Sequence, residues 1–246
     1  MLSIMKRHRT TRKWVTDVAD GAFEPFSGQS VSLSPENSPV VYLPIPKAAN
    51  TSIRMAMLQC SDAAPSDCTN VHHDPRLHRE RQHIALQAAA KDAFVFTVAR
   101  HPANRIRSAY RNKIGAMKKT FGPADRIGVS RFDSFDAFLE KVASVPSYSL
   151  DSHFRPQTQI LTFGLQDPRL TVFKMEELAD HWPDIAMRLS QATGKPPIEI
   201  GRHNESKQND EDPFTDRQKR LIRLIYAEDF RILDYDFQRD HRARDG

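Results

Sequence analysis

Two short apolar runs, each followed by a polar turn and a helix-forming segment, constrain the fold of this 246-residue chain more than any other feature. Residues 40–45 form the first run, and a helix from about Thr51 to Gln59 follows it. Residues 94–99 form the second run, and Pro102 stands where the next helix begins, a position that tolerates its missing N–H. Runs of this kind are typical of strands that are buried on both faces of a parallel sheet.

The alternation of strands and helices continues toward the C-terminus. Residues 170–173 predict a third strand, and residues 184–192 predict a helix after Pro183. Two further helices are predicted from their caps: one begins after Asp133 or Ser134, and one begins with a capping box of Thr215 and Gln218. Their buried sides are expected to carry Phe135, Phe138, Leu139 and Val142 in the first, and Leu221, Ile222, Leu224 and Ile225 in the second. We therefore expect an α/β fold with a central parallel sheet flanked by helices, in a P-loop-like three-layer arrangement.

The domain organisation follows from where this pattern begins. Residues 1–38 mix basic residues with Gly, Ser and Pro without sustained periodicity, so they are predicted to form a loosely ordered N-terminal arm. Residues 39–246 are predicted to form one domain, because a chain of this length with 39% hydrophobic residues can build one sizeable core.

Composition narrows the classes of ligand. The chain has 36 Lys and Arg against 31 Asp and Glu, a net charge of +5, which suits a small anionic ligand better than a nucleic acid. No apolar run approaches the roughly 20 residues that span a bilayer, so we expect no stable membrane insertion and a cytoplasmic location. The two cysteines, Cys60 and Cys68, form neither a disulfide framework nor a metal-ligand pattern, and no metal is expected.

Each of the two early strands is followed by residues suited to binding an anion. The first strand is followed by Lys47, which lies among small residues and carries a positive charge. The side chains of Asn50, Thr51 and Ser52 come next and can donate hydrogen bonds to an anion. A P-loop binds phosphate with the same kinds of groups. However, the glycines of a Walker A sequence are missing here, and the lysine precedes the small residues. The small residues of this segment are Ala48 and Ala49.

Arg100 comes directly after the second strand, and Ser108 follows eight residues later in the next helix. An arginine can bind a phosphate through two parallel hydrogen bonds, and a serine can donate one more. Because ligands of open α/β sheets bind outside the carboxyl ends of the strands, the two groups are expected to hold two anions of one ligand.

Together these segments resemble the sulfotransferases that use 3′-phosphoadenosine 5′-phosphosulfate (PAPS), in particular the carbohydrate branch. Residues 45–53 resemble that family's 5′-phosphosulfate loop, and residues 96–113 resemble its 3′-phosphate motif. Shorter similarities occur at residues 153–157, 173–178, 203–206 and 226–230. The loop carries Ala48-Ala49-Asn50 where relatives often have Gly, Ser or Thr, and the membrane anchor of Golgi relatives is absent, which is typical of the soluble bacterial branch.

The resemblance implies PAPS as co-substrate and a hydroxyl of a glycan or glycolipid as acceptor. By the same resemblance, Lys47 lies against the oxygen that leaves, residues 48–52 hold the 5′ end, and Arg100 with Ser108 holds the 3′-phosphate. The acceptor hydroxyl needs a base near neutral pH, and the candidates are His72, His73 and His153. Of these, His72 or His73 is favoured, because the chain passes the mouth of the cleft between the first helix and the second strand.

Two other functions remain open at this point. A nucleotide kinase or another P-loop phosphotransferase has the same class of fold, although its Gly-Lys-Ser/Thr order is missing here. A non-catalytic module that binds nucleotides or polyanions would keep Arg100 and Ser108 but would not need Lys47.

Overall fold

The computed structural model describes residues 30–36, 38–61, 70–115, 121–197 and 213–237. Within them a five-stranded sheet forms the centre, with strand order β3-β1-β2-β4-β5. Strands β2, β4 and β5 run parallel, in a register that pairs Tyr42 with Phe96 and Val98 with Phe173, whereas β1 is antiparallel to both of its neighbours. The strands are β1 (Val31–Pro35), β2 (Val40–Tyr42), β3 (Leu77–Arg81), β4 (Phe94–Ala99) and β5 (Thr171–Lys174).

The sheet differs from the expected one at its β1–β3 edge. Strand β1 lies inside residues 1–38, so the predicted boundary of the N-terminal arm is too late and the folded part includes residues from Ser30 onward. Strand β3 was not predicted, because it is polar and lies at the sheet edge, where charged side chains are common. The expected α/β class is confirmed, and the sheet is mixed rather than wholly parallel.

Helices cover both faces of the sheet. On one face, Ile53 and Met57 pack with Ile185 and Leu189 against the strands. On the other face, Leu86, Ile160 and Leu233 pack against the opposite sides of the same strands. The helices are α1 (Asn50–Gln59), α2 (Gln82–Ala88), α3 (Pro102–Tyr110), α4 (Gly122–Asp125), α5 (Phe135–Ala143), α6 (Gln157–Ile160), α7 (Leu178–Thr193), α8 (Asp216–Ile225) and α9 (Ala227–Ile232).

A third apolar cluster joins α3, α5 and α8 beside the sheet. Phe138 is fully buried there and Ile222 lies opposite it, as the helical periodicity predicts. Leu224, however, is 70% exposed, because two residues along a helix turn a side chain to the far side. The expected buried position of Leu224 is therefore wrong.

Local signals explain where the helices begin. Ser134 Oγ accepts a hydrogen bond from the N–H of Ala137, and Thr215 with Gln218 forms both bonds of a capping box. Pro102 occupies the first position of α3, as predicted. The helix expected at residues 184–192 begins earlier, because α7 starts at Leu178 and contains Pro183 in its second turn.

Candidate functional site

The carboxyl ends of the three parallel strands bring the predicted anion-binding groups together. Arg100, directly after β4, donates a hydrogen bond from Nη1 to the carbonyl oxygen of Lys47, after β2, at 3.2 Å. The N–H of His101 donates to Glu176 Oε1, after β5, at 2.8 Å. These hydrogen bonds join the carboxyl ends of β2, β4 and β5, at the edge of the sheet where ligands of α/β proteins bind.

The loop of residues 46–52, here called the phosphate loop, has an unusual backbone. Lys47 and Ala49 both adopt positive φ, of 69° and 52°, although neither is a glycine. Such conformations cost about 1–3 kcal/mol each and concentrate at functional sites. Left-handed residues directly before a helix turn successive N–H groups toward one point, which is the form of an anion-binding nest. The N–H groups at the start of α1 add to it.

Asn50 is oriented by a core residue beneath the phosphate loop. The hydroxyl of the fully buried Tyr42 donates to Asn50 Oδ1 at 2.5 Å. Since the acceptor end of the amide is occupied, its Nδ2 donors point away from Tyr42. Burial raises the pKa of Tyr42 far above its ordinary value, so the phenol stays a donor at any physiological pH.

Lys47 lies half-buried among positive charges. Burial lowers the pKa of its ammonium group, and the nearby charges of Arg100 and Lys113 lower it further. In the phosphate loop, Thr51 and Ser52 are partly exposed in the first turn of α1, whereas Ala48 is fully buried. The small side chain of Ala48 lets the loop pack down on the core.

Arg100 is held by a reciprocal pair of bonds to Gln157. The N–H of Arg100 donates to Gln157 Oε1 at 2.9 Å, and Gln157 Nε2 donates to the carbonyl oxygen of Arg100 at 2.8 Å. Asp229 in α9 fixes Gln157 in turn, by accepting from its backbone N–H at 2.8 Å. Ser108 lies in α3, two turns beyond Arg100, and is partly exposed.

Of the three candidate bases, His72 is the one in contact with the phosphate loop. Its Nε2 lies 3.5 Å from Thr51 Oγ1. Burial lowers the pKa of His72, and the charges of Arg54, His73 and Lys113 add to the effect. His72 and His73 are both exposed, so the contact with Thr51 is the feature that distinguishes His72 from its neighbour.

His153 is in hydrogen-bond contact with a carboxylate. Its Nδ1 is 2.6 Å from Asp151 Oδ1, and its ring packs edge-on against Phe121 with 5.7 Å between centroids. Burial raises the pKa of the Asp151 carboxyl, but hydrogen bonds from His153 and the charges of His153 and Lys113 outweigh it, so the net pKa is lowered.

Comparison with known proteins identifies the group to which the chain belongs. Residues 32–236 match the model of a protein family described as the sulfotransferase family. The chain belongs to the sulfotransferase family. Neither the curated proteins nor the solved structures compared with it gave a significant match. The sulfotransferase is therefore a transferase of sulfuryl groups, and the mixed α/β sheet flanked by helices is consistent with the P-loop-like fold of this family.

Sequence reasoning missed Lys113 as a member of the site. It lies in a π-helical turn, Arg111–Gly115, directly after α3, and such turns are frequent at functional sites. Its charge acts on Lys47, on His72 and on Asp151, and its Nζ lies 4.9 Å from the ring centroid of Phe121. The π-helical turn could not be read from residue types.

Arg105 of the sulfotransferase was also missed, and it is fully buried. Its Nε donates to the carbonyl oxygen of Pro46 at 3.0 Å, Nη1 to that of Arg155 at 2.8 Å, and Nη2 to that of Ser152 at 2.7 Å. One guanidinium therefore ties the phosphate loop to the segment that carries His153.

Several sequence predictions lie outside the described residues. They are the similarity at 203–206, Cys68 and residues 1–29 of the predicted N-terminal arm. Within the described ranges, no group of three or more His, Cys, Asp or Glu side chains is arranged to hold a metal ion. None of the helices described there is long and apolar enough to cross a bilayer.

Proposed function

We propose that this sulfotransferase takes the sulfuryl group from PAPS and transfers it to a hydroxyl of a glycan or glycolipid acceptor. The observation that carries the proposal is the junction of two anion-binding groups: the left-handed phosphate loop with Lys47, and Arg100 bonded to that loop at 3.2 Å. A nucleotide with phosphates at both its 5′ and 3′ positions has two anionic ends that fit such a pair. The carbohydrate acceptor rests on the resemblance of residues 45–53 and 96–113 to the carbohydrate branch of these enzymes.

The proposed transfer is an in-line displacement at sulfur. The acceptor oxygen forms a bond to sulfur while the bond between sulfur and the 5′-phosphate oxygen breaks, and the nucleotide leaves as 3′-phosphoadenosine 5′-phosphate (PAP). Lys47 balances the negative charge that develops on the leaving oxygen, and the N–H groups of the phosphate loop share that task. Asn50, Thr51 and Ser52 hold the 5′ end, and Arg100 with Ser108 holds the 3′-phosphate. No metal is needed in this scheme, because protein donors neutralise the leaving phosphate.

The proton of the acceptor hydroxyl goes to a histidine, and we assign this role to His72. Its contact with Thr51 places it beside the phosphate loop. A lowered pKa keeps the imidazole neutral, and so able to accept a proton, at pH values where an ordinary histidine is partly protonated. His73 is the alternative from the same segment, and His153 is the second alternative, although Asp151 already holds its Nδ1.

Membership of the sulfotransferase family argues against a nucleotide kinase, and the retained Lys47 argues against a module that only binds nucleotide. The test compares Lys47→Ala with Arg100→Ala, measuring transfer of labelled sulfate from PAPS across a panel of glycan, lipid and phenol acceptors. Loss of Lys47 is expected to lower kcat by about 10² to 10³-fold with a small change in PAP affinity, as for other groups that act on developing charge. Arg100→Ala is expected to weaken PAP binding itself.

The matched control is Lys91→Ala, which removes an exposed lysine after α2, away from the carboxyl edge of the sheet. It is expected to keep the original kcat and PAP affinity. Equal losses of PAP affinity in Lys47→Ala and Arg100→Ala, with kcat intact in both, would contradict the assigned roles. Absence of transfer to every acceptor would contradict the function.

A further inference from the structure

A buried hydroxyl contacts the phosphate loop from the core side, at the end of β2. Tyr42 is fully buried, and its ring packs on that of Phe96 with 5.0 Å between centroids. Its hydroxyl donates to Asn50 Oδ1 at 2.5 Å. This bond joins the last residue of β2 to the first residue of α1, so it closes the segment that carries Lys47. The mechanism described above does not use this tyrosine.

The start of α1 is arranged to present hydrogen-bond donors. The residue before the helix is Ala49, whose side chain cannot accept from the first N–H groups as a serine or aspartate would. An asparagine near a helix start can also turn its side-chain oxygen back onto such N–H groups. Here the oxygen of Asn50 is instead held by Tyr42, and the side chain of Asn50 is partly exposed.

The bond from Tyr42 decides which end of the Asn50 amide is available to a ligand. An amide has an acceptor end, which repels an anion, and a donor end with two N–H groups, which attracts one. With Oδ1 held on the core side, Nδ2 is the end left for a ligand. Burial raises the pKa of Tyr42 far above its ordinary value, so the phenol keeps its proton and this orientation does not change with pH in the physiological range.

We propose that Tyr42 is a positioning residue, which fixes the Asn50 amide so that its N–H groups meet an oxygen of the 5′ group of the nucleotide. The inference rests on the function proposed above and deepens it, because it names what orients one of the groups that hold the 5′ end. Tyr42 is fully buried, so it touches no substrate and acts through Asn50. It is therefore expected to affect the 5′ group and not the 3′-phosphate.

The expected size of the effect follows from side-chain ordering. A polar side chain that is already ordered before binding avoids a loss of affinity of about two- to tenfold, the usual cost of immobilising one such group. Removing the hydroxyl of Tyr42 leaves Asn50 free to turn, including to the orientation in which Oδ1 faces the anion. The contribution of the 5′ group to binding should fall, although no donor to the ligand has been deleted.

The test measures binding without turnover, by calorimetry with two nucleotides. PAP is compared with adenosine 3′-monophosphate, which has the same 3′-phosphate but no 5′ group, so the ratio of their affinities isolates the 5′ end. Tyr42→Phe is expected to lower this ratio about two- to tenfold. Asn50→Ala is expected to lower it about tenfold or more, the size of a hydrogen bond to a charged group. Adding Tyr42→Phe to Asn50→Ala should cause no further loss, because the tyrosine acts through the amide.

The matched control is Tyr226→Phe. Tyr226 is also fully buried, and its hydroxyl donates to the carbonyl oxygen of Phe154 at 2.6 Å. This substitution removes the same group from an equally buried site, so it is expected to lower stability in a similar way. It should leave the ratio of the two affinities unchanged, because any effect on the 3′-phosphate is common to both nucleotides. Asn50→Asp should lower the ratio further than Asn50→Ala, since it replaces the donor end by a charged oxygen.

An unchanged ratio in Tyr42→Phe would overturn the proposal. So would an equal fall in Tyr226→Phe, which would make the effect one of general stability, or a full additional loss in the double variant. If Tyr42→Phe does not fold, Asn50→Ala decides, because an unchanged ratio there would remove the group through which Tyr42 acts. The expected ratios with no transfer from PAPS to any acceptor would contradict the proposed function and leave the positioning role standing. Transfer from PAPS with an unchanged ratio would overturn the positioning role alone.

Discussion

The surroundings of the three candidate bases, His72, His73 and His153, favour His72 as the proton acceptor. It contacts the phosphate loop at Thr51, whereas the Nδ1 of His153 is already bonded to a carboxylate, 2.6 Å from Asp151 Oδ1. Burial of His72 and the neighbouring charges of Arg54, His73 and Lys113 favour its neutral form, which is the form that can accept a proton.

Replacing His72 by alanine is therefore expected to lower kcat by about 10² to 10⁴-fold, the usual contribution of a general base. The rate of the unmodified enzyme should rise with pH through the pKa of His72, and this rise should lie below the pH expected for an ordinary histidine. Turnover at saturating PAPS and its pH profile measure both effects. His181→Ala, on the exposed side of α7, is the control and should change neither. A larger loss from His153→Ala than from His72→Ala would refute the assignment.

At the level of single residues, the sequence reveals the groups that follow a strand but not those that reach the site from elsewhere. Lys47 and Arg100 were predictable because each follows an apolar run whose end marks the ligand edge. The involvement of Lys113 depends on a π-helical turn, which leaves no pattern in residue types.

At the level of elements, α3 links the two halves of the site. Arg105 points inward from this helix to carbonyl groups 59, 50 and 47 residues away in the chain. Ser108, one turn further on, lies on a partly exposed part of the same helix. The position of the 3′-phosphate motif thus depends on the same helix that anchors the phosphate loop.

Arg105→Gln is expected to destabilise the protein by about 3 kcal/mol or more, since removing a charged donor leaves buried carbonyl groups unsatisfied at about 1–3 kcal/mol each. Urea unfolding followed by circular dichroism measures the change. Arg126→Gln removes an exposed arginine after α4 and is expected to stay within about 0.5 kcal/mol. If both substitutions had the same small effect, the carbonyl contacts of Arg105 would not be important for stability.

Elements with a strong local signal were predicted closely, and those defined by pairing were not. Strand β4 matches the predicted run at residues 94–99, and α8 begins after its predicted capping box. Strands β1 and β3 were missed, because β1 contains two serines and a proline and β3 is largely charged. The two strands are defined by their pairing with each other, which runs from Val31 with Arg81 to Pro35 with Leu77. This pairing cannot be seen in the sequence of either strand alone.

At the level of the whole molecule, α9, the last helix of the described residues, supports the groups that follow β2 and β4. Asp229 in α9 accepts hydrogen bonds from the backbone N–H groups of Gln157 and Thr158, each at 2.8 Å, and Gln157 holds both backbone groups of Arg100. Tyr226 adds a bond from its hydroxyl to the carbonyl oxygen of Phe154 at 2.6 Å. Segments that are distant in sequence therefore form one support beneath the proposed nucleotide site.

Because these segments meet at the proposed nucleotide site, a ligand that bridges Lys47 and Arg100 should stabilise the entire fold. PAP at about 100 times its Kd is expected to add roughly 2.7 kcal/mol to the free energy of unfolding, without magnesium, because only the folded chain brings the two groups together. Thermal unfolding measures this as a rise in Tm, which Arg100→Ala should reduce and Arg126→Gln should not. ATP with magnesium should give a smaller rise, since it lacks the 3′-phosphate that Arg100 binds in this scheme. A larger rise with ATP and magnesium than with PAP would instead favour a phosphotransferase site.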